Sequence, residues 1–228
     1  SKMFMESIEK IMKKNKLEIP YENWVFALDC PRKEIWRYEL FQEYKSQRDV
    51  IYESEEWKGG PIFELVIYKL LPELKKKLNF LILKHEKLEA DDIIACLTKT
   101  IQTENKDCLI YIITNDHDYL QLINPMTTII NLKNKKLNDK SCGNPNHDLL
   151  LKIICGDPAD NIKGCFKRCG KKTAMKLIHN RELLDKKFND NPESKIIFEN
   201  NKKLISFESI PKYLKISVIN IFKSIFKT

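Results

Sequence analysis

The sequence predicts an α/β fold in which a mostly parallel sheet is flanked by helices and followed by a helical C-terminal region. Over the first two-thirds of the 228 residues, short apolar runs of strand length alternate with segments of helical periodicity. After the turn-prone stretch 138–146 the strand pattern disappears, and helical periodicity continues to the end. We therefore predict one domain over residues 1–146 and a helical region over residues 147–228.

The individual elements follow from periodicity. Phe4, Ile8, Ile11 and Met12 recur at helical spacing, which predicts a first helix near residues 3–15. Continuous apolar runs are typical of strands buried on both faces, and such runs lie at Trp24–Leu28, Phe80–Leu83, Leu109–Ile113 and Thr128–Ile130. Further helices are predicted at roughly 62–78 and 91–103.

The last helix is predicted to pack back onto the first domain, because one side of it is apolar. That side carries Val218, Ile221, Phe222, Ile225 and Phe226.

The basic composition suits a polyanionic partner, with solubility or genome composition as the alternative explanation of the charge, and the cysteine pattern suits a reducing compartment. Forty Lys and Arg against 32 Asp and Glu give a net charge of +8. The seven cysteines are odd in number and include no C-x-x-C pair, so neither a disulfide framework nor a zinc module is indicated. No apolar run approaches the roughly 20 residues that span a bilayer, and no signal-peptide core is present. We expect an intracellular protein without a membrane partner, in the cytoplasm, the nucleus or a viral replication site.

Eight carboxylates lie in four short clusters, three of them next to predicted strand ends. They are Asp29; Glu89, Asp91 and Asp92; Asp116 and Asp118; and Asp157 and Asp160. Functional groups of open α/β sheets collect at the carboxyl ends of strands. If the clusters converge, their repulsion calls for cations, and oxygen ligands select Mg²⁺ or Mn²⁺ over zinc. Two such ions about 4 Å apart support phosphodiester hydrolysis. Each acid taken singly has the alternative interpretation of a helix cap or turn residue.

Four segments of the chain resemble signature blocks of the 5′-to-3′ exonuclease and flap endonuclease family. The segments are Leu88–Ala95, Ile113–Leu122, Gly156–Gly164, and a basic block made of Trp36-Arg37 with Tyr44–Arg48. They cover most of residues 24–180 in the order found in that family. The resemblance implies a PIN-like fold and a structure-specific 5′ nuclease that uses two Mg²⁺ ions, with Mn²⁺ as a substitute.

The resemblance also implies roles for individual residues. Asp29, Glu89 and Asp91 would form one metal site, and Asp116, Asp118 and Asp157 the other. Asp92 and Asp160 would be close ligands or outer groups. Lys45 and Arg48 would contact the scissile phosphate, with Arg37 and Tyr44 in support. Composition alone leaves open that Lys45 and Arg48 lie on a solvated helix face.

A glycine-containing basic loop resembles the family's helix-hairpin-helix variant, which binds DNA phosphates. Its candidate DNA-binding residues are Lys163, Gly164, Lys167, Arg168, Gly170, Lys171, Lys172 and Thr173. We predict that the glycines allow close backbone approach and that a helix starting at Thr173 presents free N–H groups. The alternative is a flexible surface loop with incidental lysines.

The chain departs from the family pattern in three places. The family's first strand and its aspartate are absent upstream of the first helix, which we interpret as truncation, because losing a central strand exposes neighbouring edges. The hairpin lacks the middle glycine and is one residue longer. The stretch 49–61, where relatives build an arch, is short and carries Glu53, Glu55 and Glu56, so we expect a small or disordered gateway.

The predicted activity is hydrolysis of one phosphodiester in DNA that has a 5′ flap, a gap or a free 5′ end, in replication or repair. RNA–DNA primers are possible substrates, and the sequence does not separate these alternatives. We expect a monomer and identify no sliding clamp or polymerase partner. Two other interpretations stay open: a catalytically impaired DNA-structure-binding member of the fold, and a PIN-like RNase.

Overall fold

The computed structural model describes residues 2–48 and 59–226, with side chains from residue 5 onward. The strands are β1 Val25–Leu28, β2 Leu81–Lys84, β3 Ile110–Ile113 and β4 Thr127–Ile130. The α-helices are α1 Lys2–Lys14, α2 Gly59–Glu64, α3 Leu71–Leu78, α4 Ala90–Glu104, α5 Pro145–Cys155, α6 Lys171–His179, α7 Arg181–Asp190, α8 Pro192–Ile205 and α9 Lys212–Phe226. The predicted order of elements is confirmed.

The strands are parallel, as predicted, but they form two separate pairs. β1 pairs with β2, with Val25 opposite Leu81, and β3 pairs with β4, with Ile110 opposite Thr127. Within the described residues no backbone ladder joins the two pairs, so the predicted parallel sheet is present as two small parallel sheets. Side-chain packing links them instead.

One apolar core contains residues of both strand pairs and of the C-terminal helix. Leu83 of β2, Ile112 of β3 and Ile129 of β4 share it with Val218 and Phe222 of α9. The prediction that the last helix packs onto the body is confirmed. The division at residues 146 and 147 stays a prediction.

The apolar faces predicted for the first and the last helix are buried in part. Ile11 and Met12 of α1 are buried as predicted, whereas the side chain of Phe4 lies outside the described residues. The prediction that Phe226 belongs to the packed face is corrected, because 51% of this residue is exposed. Its ring centroid lies 4.9 Å from that of Phe222.

The helix predicted at 62–78 begins at Gly59, and its central residues form a π-helix. Residues Leu65–Leu70 are π-helical and connect α2 to α3. Pro72 lacks the N–H that would bond to the carbonyl of Tyr68, and a wide turn accommodates this missing bond. The predicted gateway at 49–61 lies largely outside the described residues, since only 59–61 belong to them.

All seven cysteines are free thiols. In the part of the chain that is described, no helix combines the length and the apolarity that crossing a membrane requires.

His85 connects the end of β2 to the C-terminal helix. Its Nδ1 accepts a hydrogen bond from the backbone N–H of Lys87 at 3.1 Å, and its Nε2 lies 3.1 Å from Ser217 Oγ. Burial lowers the pKa of His85 from 6.5. Because the unfolded chain binds this proton more readily than the folded one, the contribution of neutral His85 to stability is fully present above about pH 6.5. That contribution is lost as the pH falls towards the lowered pKa.

We predict that replacing His85 reduces the loss of stability on acidification. Thermal unfolding of the wild type and of His85→Gln should be compared between pH 7.5 and 5.5. The difference in Tm between the two proteins should shrink at the lower pH, with about 2–4 °C corresponding to each kcal/mol. His179→Gln, an exposed site at the end of α6, is the control. A difference that stays constant with pH would contradict the linkage.

Candidate metal centre

Seven of the eight predicted carboxylates lie in one continuous acidic site. They form three overlapping groups, within each of which one carboxylate oxygen per residue lies within 4.8 Å of the others. The groups are Glu89, Asp91 and Asp92; Asp91, Asp116 and Asp118; and Asp118, Asp157 and Asp160. Asp91 and Asp118 each belong to two groups. Acids from three distant segments are therefore brought together.

Asp29 lies beside this site without belonging to one of the groups. Its Oδ1 accepts a hydrogen bond from the backbone N–H of Ala90 at 2.8 Å, at the start of α4. The next residue, Cys30, donates its N–H to the carbonyl of Leu88 at 3.1 Å. The parallel pairing of β1 and β2 explains this placement, because both strands end at the same edge.

The N-terminus of α4 fixes the first acidic group. Glu89 is its N-cap residue, and the backbone N–H of Glu89 donates to Asp92 Oδ2 at 3.3 Å. The N–H of Asp92 donates to Asp91 Oδ1 at 2.7 Å. Free N–H groups and the positive end of the helix dipole stabilise acids in this first turn.

Arg37 neutralises part of the acidic site from inside the protein. It is 2% exposed, and its two terminal nitrogens donate to Asp92 at 2.7 and 2.8 Å and to Glu89 at 2.9 Å. Its Nε donates to the carbonyl of Leu204 at 2.7 Å, and Trp36 Nε1 donates to Asp92 at 2.9 Å. These contacts join Arg37, Asp92 and Glu89 in one buried network of hydrogen bonds.

Three further side chains of the basic block lie against the acids. Tyr44 Oη lies 3.1 Å from Glu89 Oε2 and 3.3 Å from Asp160 Oδ2. Lys45 Nζ is paired with Glu89, and Arg48 Nη2 lies 2.5 Å from Asp160 Oδ1. Because the Lys45 side chain is only 12% exposed, the alternative of a solvated helix face does not describe it.

The charges of the site are compensated unevenly. Burial acts to raise the pKa of Glu89, but Lys45 and Arg37 outweigh it and lower that pKa. Burial and the neighbours Asp92 and Glu89 raise the pKa of Asp91 to about 8. Burial also raises the pKa of Asp160. A set of crowded oxygen ligands whose ionised forms are disfavoured by burial and by one another fits a hard divalent cation such as Mg²⁺.

Lys152 belongs to the site although the sequence analysis did not identify it. It lies on α5, and its Nζ is ion-paired with Asp118 and lies 2.8 Å from Asp157 Oδ2. The one available signal was its place on the helix that ends immediately before Gly156 and Asp157. That signal is weak, because a lysine in the last turn of a helix is common.

The predicted helix-hairpin-helix is formed by α5, a loop over residues 156–170, and α6. Gly164 is required by close packing, since an added Cβ would lie 2.7 Å from the carbonyl oxygen of Cys155. Gly170 has no such neighbour within 4 Å, and the close approach of a DNA phosphate to its backbone stays a prediction. The predicted helix start at Thr173 is also corrected: α6 begins at Lys171, with the extended Gly170 as its N-cap.

The hairpin presents an exposed basic surface, which we call the hairpin surface. Its exposed residues are Lys163, Lys167, Arg168, Lys171, Lys172 and Thr173. Within residues 2–48 and 59–226, no ion pair engages any of its five cations. Such a surface suits phosphate groups. Because Asp157 and Asp160 lie in the same loop, this surface adjoins the acidic site.

Solved structures and curated proteins resemble this chain along nearly its whole length. One of them is the bacteriophage T5 flap endonuclease, solved as a pseudo-enzyme–product complex with DNA and metal ions. It matches this chain with a TM-score of 0.74 at 17% identity, and the match covers 100% of this chain and 91% of the T5 chain. The T5 protein co-crystallised with metal ions has a TM-score of 0.71 at 18% identity, covering 99% and 90%. These likenesses confirm the predicted PIN-like fold.

Curated relatives share more sequence identity with this chain than the T5 structures do. A 5′-3′ exonuclease of Mycoplasmopsis pulmonis is 32% identical over 212 residues, covering 89% of this chain. The chain spans 65% of that relative's length. Ribonuclease H of Enterobacteria phage T4 is 27% identical over 240 residues, covering 97% of this chain and 76% of the relative. Residues 1–144 match the family model described as 5′-3′ exonuclease, N-terminal resolvase-like domain, and the chain therefore belongs to the 5′-3′ exonuclease family.

Proposed function

We propose that this chain is a Mg²⁺-dependent, structure-specific 5′ nuclease that hydrolyses a DNA phosphodiester near a 5′ end. The observation that carries the proposal is the meeting of the three acidic groups with the cations of Lys45 and Arg48. Carboxylates that hold metal ions beside phosphate-binding cations form the usual arrangement for phosphodiester hydrolysis. Membership of the 5′-3′ exonuclease family supports the same reaction.

The acidic site would hold the metal ions through oxygen atoms alone. Asp29, Glu89 and Asp91 are the candidate ligands on one side, and Asp116, Asp118 and Asp157 on the other. When bound, paired divalent ions supply an activated water and stabilise the leaving oxygen. T5 5′-exonuclease has been solved with divalent zinc ions, and the oxygen-only ligands here favour Mg²⁺, with Mn²⁺ as a substitute.

The cations at the edge of the site would bind and orient the scissile phosphate. Lys45 supplies a point charge, and Arg48 supplies a planar guanidinium suited to bidentate phosphate contact. Arg37 and Tyr44 would keep the carboxylates in place from below. Lys152 would balance the charge of Asp118 and Asp157 when no other cation does so.

The substrate we propose is DNA with a 5′ flap, a gap or a free 5′ end, bound as duplex by the hairpin surface. The DNA complex of the T5 flap endonuclease supports this class of substrate. The phage T4 relative named ribonuclease H supports adding RNA–DNA primers to it. We propose that the protein acts as a monomer in replication or repair.

Cleavage should depend on a divalent cation. Labelled 5′-flap DNA incubated with the protein and Mg²⁺ should yield a shortened product, and EDTA should abolish it. Equal cleavage in both conditions would exclude a metal mechanism. Binding without cleavage in Mg²⁺ or Mn²⁺ would favour the catalytically impaired member of the fold, and cleavage restricted to an RNA flap of the same shape would favour the PIN-like RNase.

Asp116→Asn should lower the cleavage rate by about 10²–10³-fold, because it removes charge from the catalytic centre. Affinity for flap DNA should be unchanged or tighter, since a negative charge beside phosphate is lost. Asp107→Asn is the matched control, because Asp107 is an exposed acid before the opposite, amino end of β3. Single-turnover rates and fluorescence anisotropy give the two measurements. A rate equal to that of the control would contradict the assignment of Asp116.

The double variant Lys171→Ala/Lys172→Ala should weaken duplex binding and lower its salt dependence. Each lost phosphate contact reduces the slope of log K against log salt concentration by about 0.9. The control is Lys75→Ala/Lys76→Ala, a change at two exposed lysines on α3. If both doubles change the slope equally, general charge and not the hairpin surface attracts the DNA.

A further inference from the structure

Asn161 joins two parts of the candidate active site that are far apart in the chain. The basic segment, residues 43–48, contains Lys45 and Arg48. The acidic turn, residues 157–160, contains Asp157 and Asp160. Asn161 immediately follows the acidic turn, and its side chain contacts the basic segment across more than a hundred residues of sequence.

The Asn161 amide makes contacts with three residues of that segment. Its Nδ2 donates to the carbonyl of Glu43 at 3.0 Å and to Ser46 Oγ at 3.2 Å. Its Oδ1 accepts from Gln47 Nε2 at 3.3 Å. These contacts use both ends of the amide, and they lie on either side of Lys45 along the chain.

Lys45 needs such support because its backbone is in an unfavourable conformation. Its φ is 56°, in the left-handed region that costs a residue other than Gly, Asn or Asp about 1–2 kcal/mol. Its N–H donates to the carbonyl of Asp160 at 3.1 Å, and its carbonyl accepts from Arg32 Nη2 at 2.9 Å. Surrounding contacts therefore determine this conformation.

Asn161 itself has φ 60° and ψ 27°, a conformation that asparagine tolerates better than most residues. This backbone ends the short helix Pro158–Asp160, and the side chain lies against the basic segment. A glycine at position 161 would retain the backbone conformation and remove only the amide.

We propose that Asn161 is a positioning residue that holds the Lys45 ammonium in register with the acidic turn. The inference rests on the proposed function and assigns to this side chain a role that acts through Lys45. Because a misplacement of about 1 Å can lower a rate by about 10²-fold, a side chain that touches no substrate can still control catalysis.

Steady-state kinetics on 5′-flap DNA test the proposal. Asn161→Gly should lower kcat by about 10–100-fold with KM within about two-fold. The matched control is Asn79→Gly, since Asn79 has φ 57° and is the exposed C-cap of α3, before the amino end of β2. Both variants should unfold at similar temperatures. A kcat for Asn161→Gly equal to that of the control would overturn the proposal.

A double-mutant cycle tests whether Asn161 acts through Lys45. Asn161→Gly/Lys45→Ala should have nearly the kcat of Lys45→Ala alone, because the positioning of an absent ammonium has no further effect. Two losses that multiply in full would show independent roles and overturn the inference.

A measurement without substrate separates this inference from the proposed function. The amide of Lys45 should exchange with solvent faster in Asn161→Gly than in the wild type or in Asn79→Gly, by NMR or mass spectrometry of a peptide spanning residues 43–48. Unchanged exchange overturns the positioning role. A wild type that cleaves no DNA overturns the proposed function, whereas the exchange result still decides whether Asn161 holds the segment.

Discussion

Mutual repulsion of the carboxylates is the constraint on which the site depends. Three overlapping groups of acids share a partly desolvated region, where like charges repel more strongly than in water. The protein compensates some of them internally, with Arg37 beneath Glu89 and Asp92. Burial and the neighbours Asp92 and Glu89 raise the pKa of Asp91 to about 8, so near neutral pH this carboxyl mostly keeps its proton. The acidic site is therefore assembled by the fold with one carboxyl protonated, and a cation bound there would displace that proton.

The internal compensation also ties the site to the rest of the molecule. Arg37 reaches the carbonyl of Leu204 on α8 while it holds Asp92 on α4, so two helices from opposite halves of the chain depend on one guanidinium. Buried ion pairs contribute little net stability, yet removing one partner costs about 3–5 kcal/mol, because a charge is left buried and unpaired. Such pairs hold the geometry of a site even where they add little to its stability.

The sequence predicted the parts of this structure that depend on local pattern. The strands lie within one residue of their predicted positions, because continuous apolar runs bounded by polar residues specify buried strands. It could not predict that the strands form two separate pairs, since ladder formation depends on contacts between distant segments. The acids were found because they follow strand ends, and the family resemblance supplied their roles. Lys152 and Asn161 were missed, because their contacts lie 34 and about 115 residues away.

The acids and the cations of the site are interdependent. Lys45 is paired with Glu89, Arg48 with Asp160, and Lys152 with Asp118, so each of these cations already interacts with a carboxylate. Moving one of them off its carboxylate is costly unless another positive charge takes its place. By linkage, whatever neutralises the acids favours phosphate binding at the released cations, and phosphate binding favours neutralisation of the acids to the same degree. Because of this pairing, we expect a cation at the acidic site to strengthen phosphate binding at Lys45, Arg48 and Lys152.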